Sequence, residues 1–243
     1  MKNVEVVAEK IYKRELIKKI IKIILLFLLV FISIIYLVLY VVYQSGRFTV
    51  TLDKNLSNRK NVFLSENGDV KERTRHLSAG TIEYMDNISI KWLPANLDIE
   101  KNGSHNGDNY IAYTFYVVNG GKETVHYWFE IDVDDSIRRV DEAIRIMIYK
   151  NGEPTVYAKK SDATGKAEPD TKMFVSKSIA VLEQRKEFKP KEKDRYTVVV
   201  WVEGDDPECN NELLGGEIKM HIDITEEHID KKKKDEEKKD GKE

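Results

Sequence analysis

The sequence predicts a mainly β protein, an antiparallel immunoglobulin-like or jelly-roll-like β-sandwich preceded by one transmembrane α-helix. Three observations carry this. Residues 23–43 form an unbroken run of 21 uncharged side chains, 17 of them Leu, Ile, Val or Phe. Beyond Gly46 the pattern changes to short blocks of alternating β-branched and aromatic residues separated by turn residues. Asn119-Gly120 and Asn151-Gly152 each stand between two such blocks, and Asn-Gly readily supplies the positive φ angles of a tight hairpin.

A helix of 21 residues covers roughly 31 Å, the thickness of a bilayer's hydrocarbon core. On an insertion scale its apolar side chains contribute roughly −5 to −10 kcal/mol. Orientation follows from the flanks. Lys10, Lys13, Arg14, Lys18, Lys19 and Lys22 crowd the N-terminal side, against Arg47 and Lys54 on the other, so the N-terminus is expected in the cytoplasm. Tyr36, Tyr40 and Tyr43, spaced four and three apart, share one helix face and read, with Lys18, Lys19 and Lys22, as interfacial anchors to the lipid bilayer. A signal-peptide core runs 7–15 residues and ends in small side chains; this run is longer and ends at Tyr43, so the reading is an uncleaved single-pass signal-anchor and the only visible attachment.

The organisation expected is a basic cytoplasmic tail (1–22), a transmembrane helix (23–43), a membrane-proximal segment with the first strand (44–79), an extracytoplasmic β-sandwich (80–225) and a charged disordered tail (226–243). Charge divides along the same lines: +4 over residues 1–22, −5 over 44–225 and −1 beyond, for a total of −2. The mildly acidic sandwich lacks the basic footprint that phosphate-backbone binding demands, which excludes nucleic acid as an expected partner. The single cysteine, Cys209, rules out an internal disulfide. Asn55, Asn87 and Asn102 open Asn-x-Ser triplets, read as chance occurrences.

Strands are expected at 48–53, 81–84 with 88–92, 110–118, 124–133, 143–150, 155–159, 172–181, 195–203 and 217–225, with one helical turn in 135–142. Evenly spaced short strands without long helices favour two packed antiparallel sheets. Trp92, Trp128 and Trp201, with Tyr113, Phe115 and Phe129, are expected in the core, where large aromatics dominate burial.

Two stretches carry a resemblance. The block Tyr196-Thr197-Val198-Val199-Val200-Trp201-Val202-Glu203-Gly204-Asp205-Asp206-Pro207-Glu208-Cys209, continued by Leu214-Gly215-Gly216-Glu217-Ile218-Lys219-Met220, resembles the closing strands of signal-anchored β-sandwich surface proteins of Gram-positive bacteria. The stretch from His105 to Tyr116 resembles them too. More distantly both are similar to the TasA/camelysin family, whose β-sandwich subunits build extracellular biofilm fibres. An uncleaved anchor departs from that pattern. The resemblance implies a cell-surface protein acting by contact with envelope proteins or copies of itself.

Glu203, Asp205, Asp206 and Glu208 place four carboxylates within six residues at a strand end, a concentration of hard oxygen ligands suited to calcium. Their spacing is not that of an EF-hand, and Gly204 and Pro207 also mark an ordinary exposed turn. His221 and Asp223, two apart on a strand, share a face. No His-Glu-x-x-His pair, Gly-x-Ser-x-Gly elbow, P-loop or dinucleotide fingerprint is present, so no catalytic residues are assigned. Acidic neighbours make Cys209 a poor nucleophile. The expected function is a non-enzymatic, membrane-anchored binding or structural module, possibilities of matrix or fibre contact included. Two alternatives stay open: a metal-dependent hydrolase of camelysin type, and an accessory or sensor subunit of an envelope complex.

Overall fold

The computed structural model describes residues 2–44, 48–80, 82 and 84–227. The chain divides into two compact units, Met1–Gly46 and Arg47–Glu243.

The first unit is one helix, α1 (Lys2–Gln44). It starts far ahead of the apolar run, so the basic tail expected at 1–22 is the first half of the same helix. That is reasonable for Lys, Glu and Arg spaced among Ile and Val, which are compatible with a helix once nucleated. A membrane-compatible stretch covers Leu16–Val38, and its apolar side chains are exposed all round the helix, from Leu16 at 41% to Phe27 at 72%. The unit offers no protein core for them. Lys18, Lys19 and Lys22 fall inside this stretch and Tyr36 is exposed. The side chains of Tyr40 and Tyr43 lie outside those described.

The second unit is a β-sandwich. One sheet has the order β10-β6-β12-β1-β3, with β1 Thr49–Leu52, β3 His76–Ser78, β6 Val125–Ile137, β10 Ile179–Phe188 and β12 Glu217–Thr225. The other has the order β2-β5-β11-β7-β8-β9, with β4 pairing beside β2 on β5. Its strands are β2 Val62–Ser65, β4 Gly103–Ser104, β5 Ile111–Asn119, β7 Ile144–Lys150, β8 Glu153–Ala158, β9 Lys172–Met173 and β11 Lys193–Val202. Pairing is antiparallel except between β1 and β12 and between β8 and β9.

The core follows from the period-two pattern. From β11, Tyr196, Val198 and Val200 point between the sheets, and from β7, Ile144, Ile146 and Ile148 do the same. They meet Phe129, Ile131, Ile222 and Ile224 of the facing sheet. Phe129 stacks on Tyr196 with ring centroids 4.5 Å apart. The other face of β11 is covered as well: Val199 and Trp201, with Met147 and Ala112 beside them, pack under Ile88 and Leu97 of the segment 84–101. This overlay is the second, smaller core.

Several expectations are corrected. Residues 48–79 belong to the sandwich, contributing three strands and a short helix, α2 (Lys54–Asn58), whose first turn is capped by the Asp53 carboxylate. Strand β1 lies between β12 and β3, with Val50 and Leu52 buried. The Asn151-Gly152 hairpin forms as expected: φ is 53° and 92° at the two positions, and Lys150 faces Glu153 across it. Asn119-Gly120 is not a hairpin. Strands β5 and β6 belong to different sheets, and the Asn119 amide instead ties the crossing together, donating to the carbonyls of Phe188 and Glu123 and accepting from Gly121 N–H. Residues 88–92 form no strand; Ile88 makes one bridge to Glu203 and Ile90–Trp92 turn into a 3-10 helix. That puts Trp92 at the surface, 75% exposed, while Trp201 is fully buried and Trp128 half-buried. The block expected at 172–181 splits into β9 and the start of β10. Residues 135–137 extend β6, and the expected helical turn shrinks to Val140–Glu142 after Arg138 and Arg139, both with positive φ. Part of the strand expected at 81–84 and most of the tail at 226–243 lie outside the described residues.

Candidate functional sites at the two ends of one strand

Strand β11 begins and ends in buried carboxylates. At its start, Asp194 is almost fully enclosed. Its Oδ2 accepts from Tyr127 Oη at 2.5 Å and from Arg185 Nε at 2.9 Å, and its Oδ1 accepts from Asn151 Nδ2 at 3.0 Å. Tyr127 and Tyr196 share a hydrogen bond at 2.9 Å, and Arg185 also donates to Glu192 at 2.9 Å. Burial, then the neighbouring Tyr196 and the charge of Asp194, pushes the Tyr127 phenol well above its ordinary range, and burial raises the Tyr196 phenol as well, so both stay neutral. Each Asp194 oxygen therefore has its partners, as a buried charge requires.

At the other end the turn after β11 carries the four carboxylates singled out from the sequence, and the structure separates them. Glu203 faces the overlay: its Oε2 accepts from Trp201 Nε1 at 3.0 Å and from Ile90 N–H at 3.1 Å, and its Oε1 from Asp205 N–H at 3.1 Å. It is a clamp between β11 and the 3-10 helix. Asp205 is exposed, accepting from Ser89 Oγ at 2.7 Å with Lys91 Nζ 3.6 Å away. Asp206 turns the opposite way, into a buried ion pair with Arg145 of β7, and its Oδ1 accepts from Glu208 N–H at 2.8 Å. Glu208 Oε1 accepts from Asp162 N–H at 2.9 Å.

The partner of Asp206 and Glu208 comes from elsewhere in the chain. Glu168, in the loop between β8 and β9, brings a carboxylate oxygen within 4.8 Å of theirs. Nothing in the spacing of residues 159–171 marks Glu168, because only the folding of that loop against the β11 turn makes it a neighbour. Beside this group, Lys159 bridges Asp141 and Glu142 at 2.5 and 2.6 Å. Burial works against ionisation of Asp141, but the hydrogen bonds from Lys159 and Ser136 outweigh it and hold the carboxyl below its ordinary value.

A third charged cluster lies on the outer face of the five-stranded sheet. His221, facing Asp132 across the strand pair, is 2.8 Å from Asp134, 3.3 Å from Asp132 and 3.5 Å from Asp223. The expected His221–Asp223 face pair is present. A hydrogen bond to Asp223, aided by Asp134 and opposed by burial, raises the imidazole to about 9. Asp132, His221 and Asp223 have the spacing of metal ligands, yet a cationic imidazole must lose a strongly held proton before it can coordinate. Cys209 is a free, half-buried thiol that accepts from Asn87 Nδ2 at 3.2 Å.

No protein-family model matches the chain, and no curated protein does either. Among solved structures, it is similar to part of a β-glucosidase from Kluyveromyces marxianus determined in complex with glucose, at 13% identity and a TM-score of 0.24. That match covers 70% of this chain and spans 16% of the β-glucosidase, a likeness too slight to bear on fold or activity.

Proposed function

We propose that this chain is a single-pass, membrane-anchored binding or structural module of the cell surface, with its N-terminus in the cytoplasm and its sandwich outside, acting by protein–protein contact. The observation that carries the reading is the exposed apolar stretch Leu16–Val38 in a chain whose other unit has a complete core of its own. A bilayer is the solvent that suits a helix whose described apolar side chains are exposed on every face. The basic flank then favours a cytoplasmic N-terminus.

The contact surface we favour is the overlay on the seven-stranded sheet. It exposes Tyr84 at 73%, Trp92 at 75% and Ile99 at 64%. Large aromatics left at a surface by a domain that buries Trp201 completely suit an interface anchor. The sheet edges are less suited. Edge strand β10 carries Glu183, Arg185, Lys186 and Glu187 and two register shifts, features that discourage edge-to-edge pairing. Relation to the TasA/camelysin family, with a matrix or fibre role, belongs to this proposal.

Topology is tested by labelling Cys209 with a membrane-impermeant maleimide in intact cells, with mild denaturation as the control for its half-buried thiol. Labelling without lysis is expected. Labelling that requires lysis under both conditions, or intact protein in a detergent-free high-speed supernatant, defeats the reading.

A further inference from the structure

The far end of β11 holds more negative charge than its own cations neutralise. Glu168, Asp206 and Glu208 each offer a carboxylate oxygen within 4.8 Å of the others. Glu168 is only 9% exposed and Asp206 5%. In two of these carboxylates one oxygen, Glu168 Oε1 and Glu208 Oε2, is enclosed and has no hydrogen-bond partner. An enclosed carboxylate oxygen without a donor is costly, and here two belong to carboxylates that converge from separate loops. Among the described residues, the cation paired with this group is Arg145, bound to Asp206; Lys159 is engaged by Asp141 and Glu142, and Arg139 by Asp162 and Glu142. Three carboxylates against one guanidinium leave two negative charges.

We infer that Glu168, Asp206 and Glu208 form a binding site for a hard divalent cation, Ca²⁺. The donor set is all carboxylate, with no imidazole or thiolate to favour zinc or copper. The ligands are pre-positioned. Arg145 and Glu208 N–H hold Asp206, and Asp162 N–H holds the Oε1 of Glu208, while its Oε2 is enclosed with no donor. The cation would add a second tie between the β8–β9 loop and the turn after β11, beside the bond from Asp162 N–H to Glu208. This site differs from the run of four acids in the sequence: it keeps Asp206 and Glu208, drops Glu203 and Asp205, and recruits Glu168. It is a property of the sandwich and does not depend on which side of a membrane the domain occupies.

The test uses the full chain in detergent micelles, stripped with EDTA and dialysed free of it. Calorimetric titration with calcium chloride is expected to show one ion per chain with a Kd of order 0.1–1 mM, the range of extracellular calcium modules. A few millimolar calcium is expected to raise the melting temperature of the sandwich by about 3–6 °C. Glu168→Gln should abolish both effects, whereas Asp205→Asn, outside the three ligands, should preserve them. The inference is overturned if the native chain neither binds calcium nor melts higher with it, or if Glu168→Gln binds as the native chain does. A proton shared by Glu168 and Glu208 would also overturn it, showing as calcium indifference with a melt that rises toward pH 5. Should Glu168→Gln fail to fold by circular dichroism, the titration and melt of the native chain decide the matter alone.

Discussion

The two ends of β11 bury carboxylates in opposite ways. At Asp194, every oxygen meets donors: a phenol, a guanidinium and an amide. At Glu168 and Glu208, one oxygen of each meets none. The lesson is that a buried acid is read by its unfilled valences rather than by its burial. A saturated carboxylate is part of the scaffold, because any ligand would have to displace bonds already made. An unsaturated one is held in a state that only an added cation or proton can relieve.

Removing the saturated centre should have the largest effect. Asp194→Ala strands Arg185, Tyr127 and Asn151 together, and a loss of about 3–5 kcal/mol is expected, as for breaking a buried ion pair, measured by urea unfolding of the detergent-solubilised chain. The result should not depend on calcium. If it does, the contrast between the two ends is wrong. Arg145→Met tests the other end. It removes the positive charge from Asp206, and a loss of about 3 kcal/mol is expected in chelator, with at least a third of it recovered in millimolar calcium. Equal losses with and without calcium would equate the two ends.

His221 supplies an intermediate case, a cluster that carries its own cation. Its pKa is raised from 6.5 to about 9 in the folded chain, so its contribution to stability is complete below pH 6.5 and disappears as pH rises through 9. The imidazole is partly exposed, and with solvent screening the effect should be about 1–2 kcal/mol. Denaturation midpoints across pH 6–9.5 should fall for the native chain and stay level for His221→Asn, the two converging near the alkaline end. Parallel curves would mean that the three nearby aspartates do not act on His221 as described. The smallest effect is expected at the exposed indole of the overlay. Trp92→Ala should change stability by less than about 0.5 kcal/mol while weakening capture of surface partners in cross-linking from intact cells; a large stability loss would make Trp92 part of the second core after all.

How much of this was legible in the sequence varies with what holds each element. Strand β12 and the central parts of β5, β6, β7, β8 and β11 show plainly, since their alternation reflects one face on the core. Strand β10 does not: from Glu183 to Glu187 it is a run of charged and polar residues, and it is a strand because β6 supplies the hydrogen bonds of its ladder. Strand β2 has only four residues, all buried, with no room for a period to emerge. Trp92 read as core because aromatics usually are, but the 3-10 helix capped by Ser89 and held by Glu203 turns the indole outward.

By itself, the sequence determined the apolar helix, the sandwich class, the Asn151-Gly152 hairpin and the concentration of acids after β11, because each is local: a length of hydrocarbon, a period of two, a turn needing positive φ, a charge density. The tertiary structure decided that Asn119-Gly120 crosses between sheets, that Asp194 is saturated, and that Glu168 joins Asp206 and Glu208 while Glu203 and Asp205 turn away. Those outcomes depend on which strands pair and how two distant loops fold together. Such neighbours are set by packing and not by proximity along the chain.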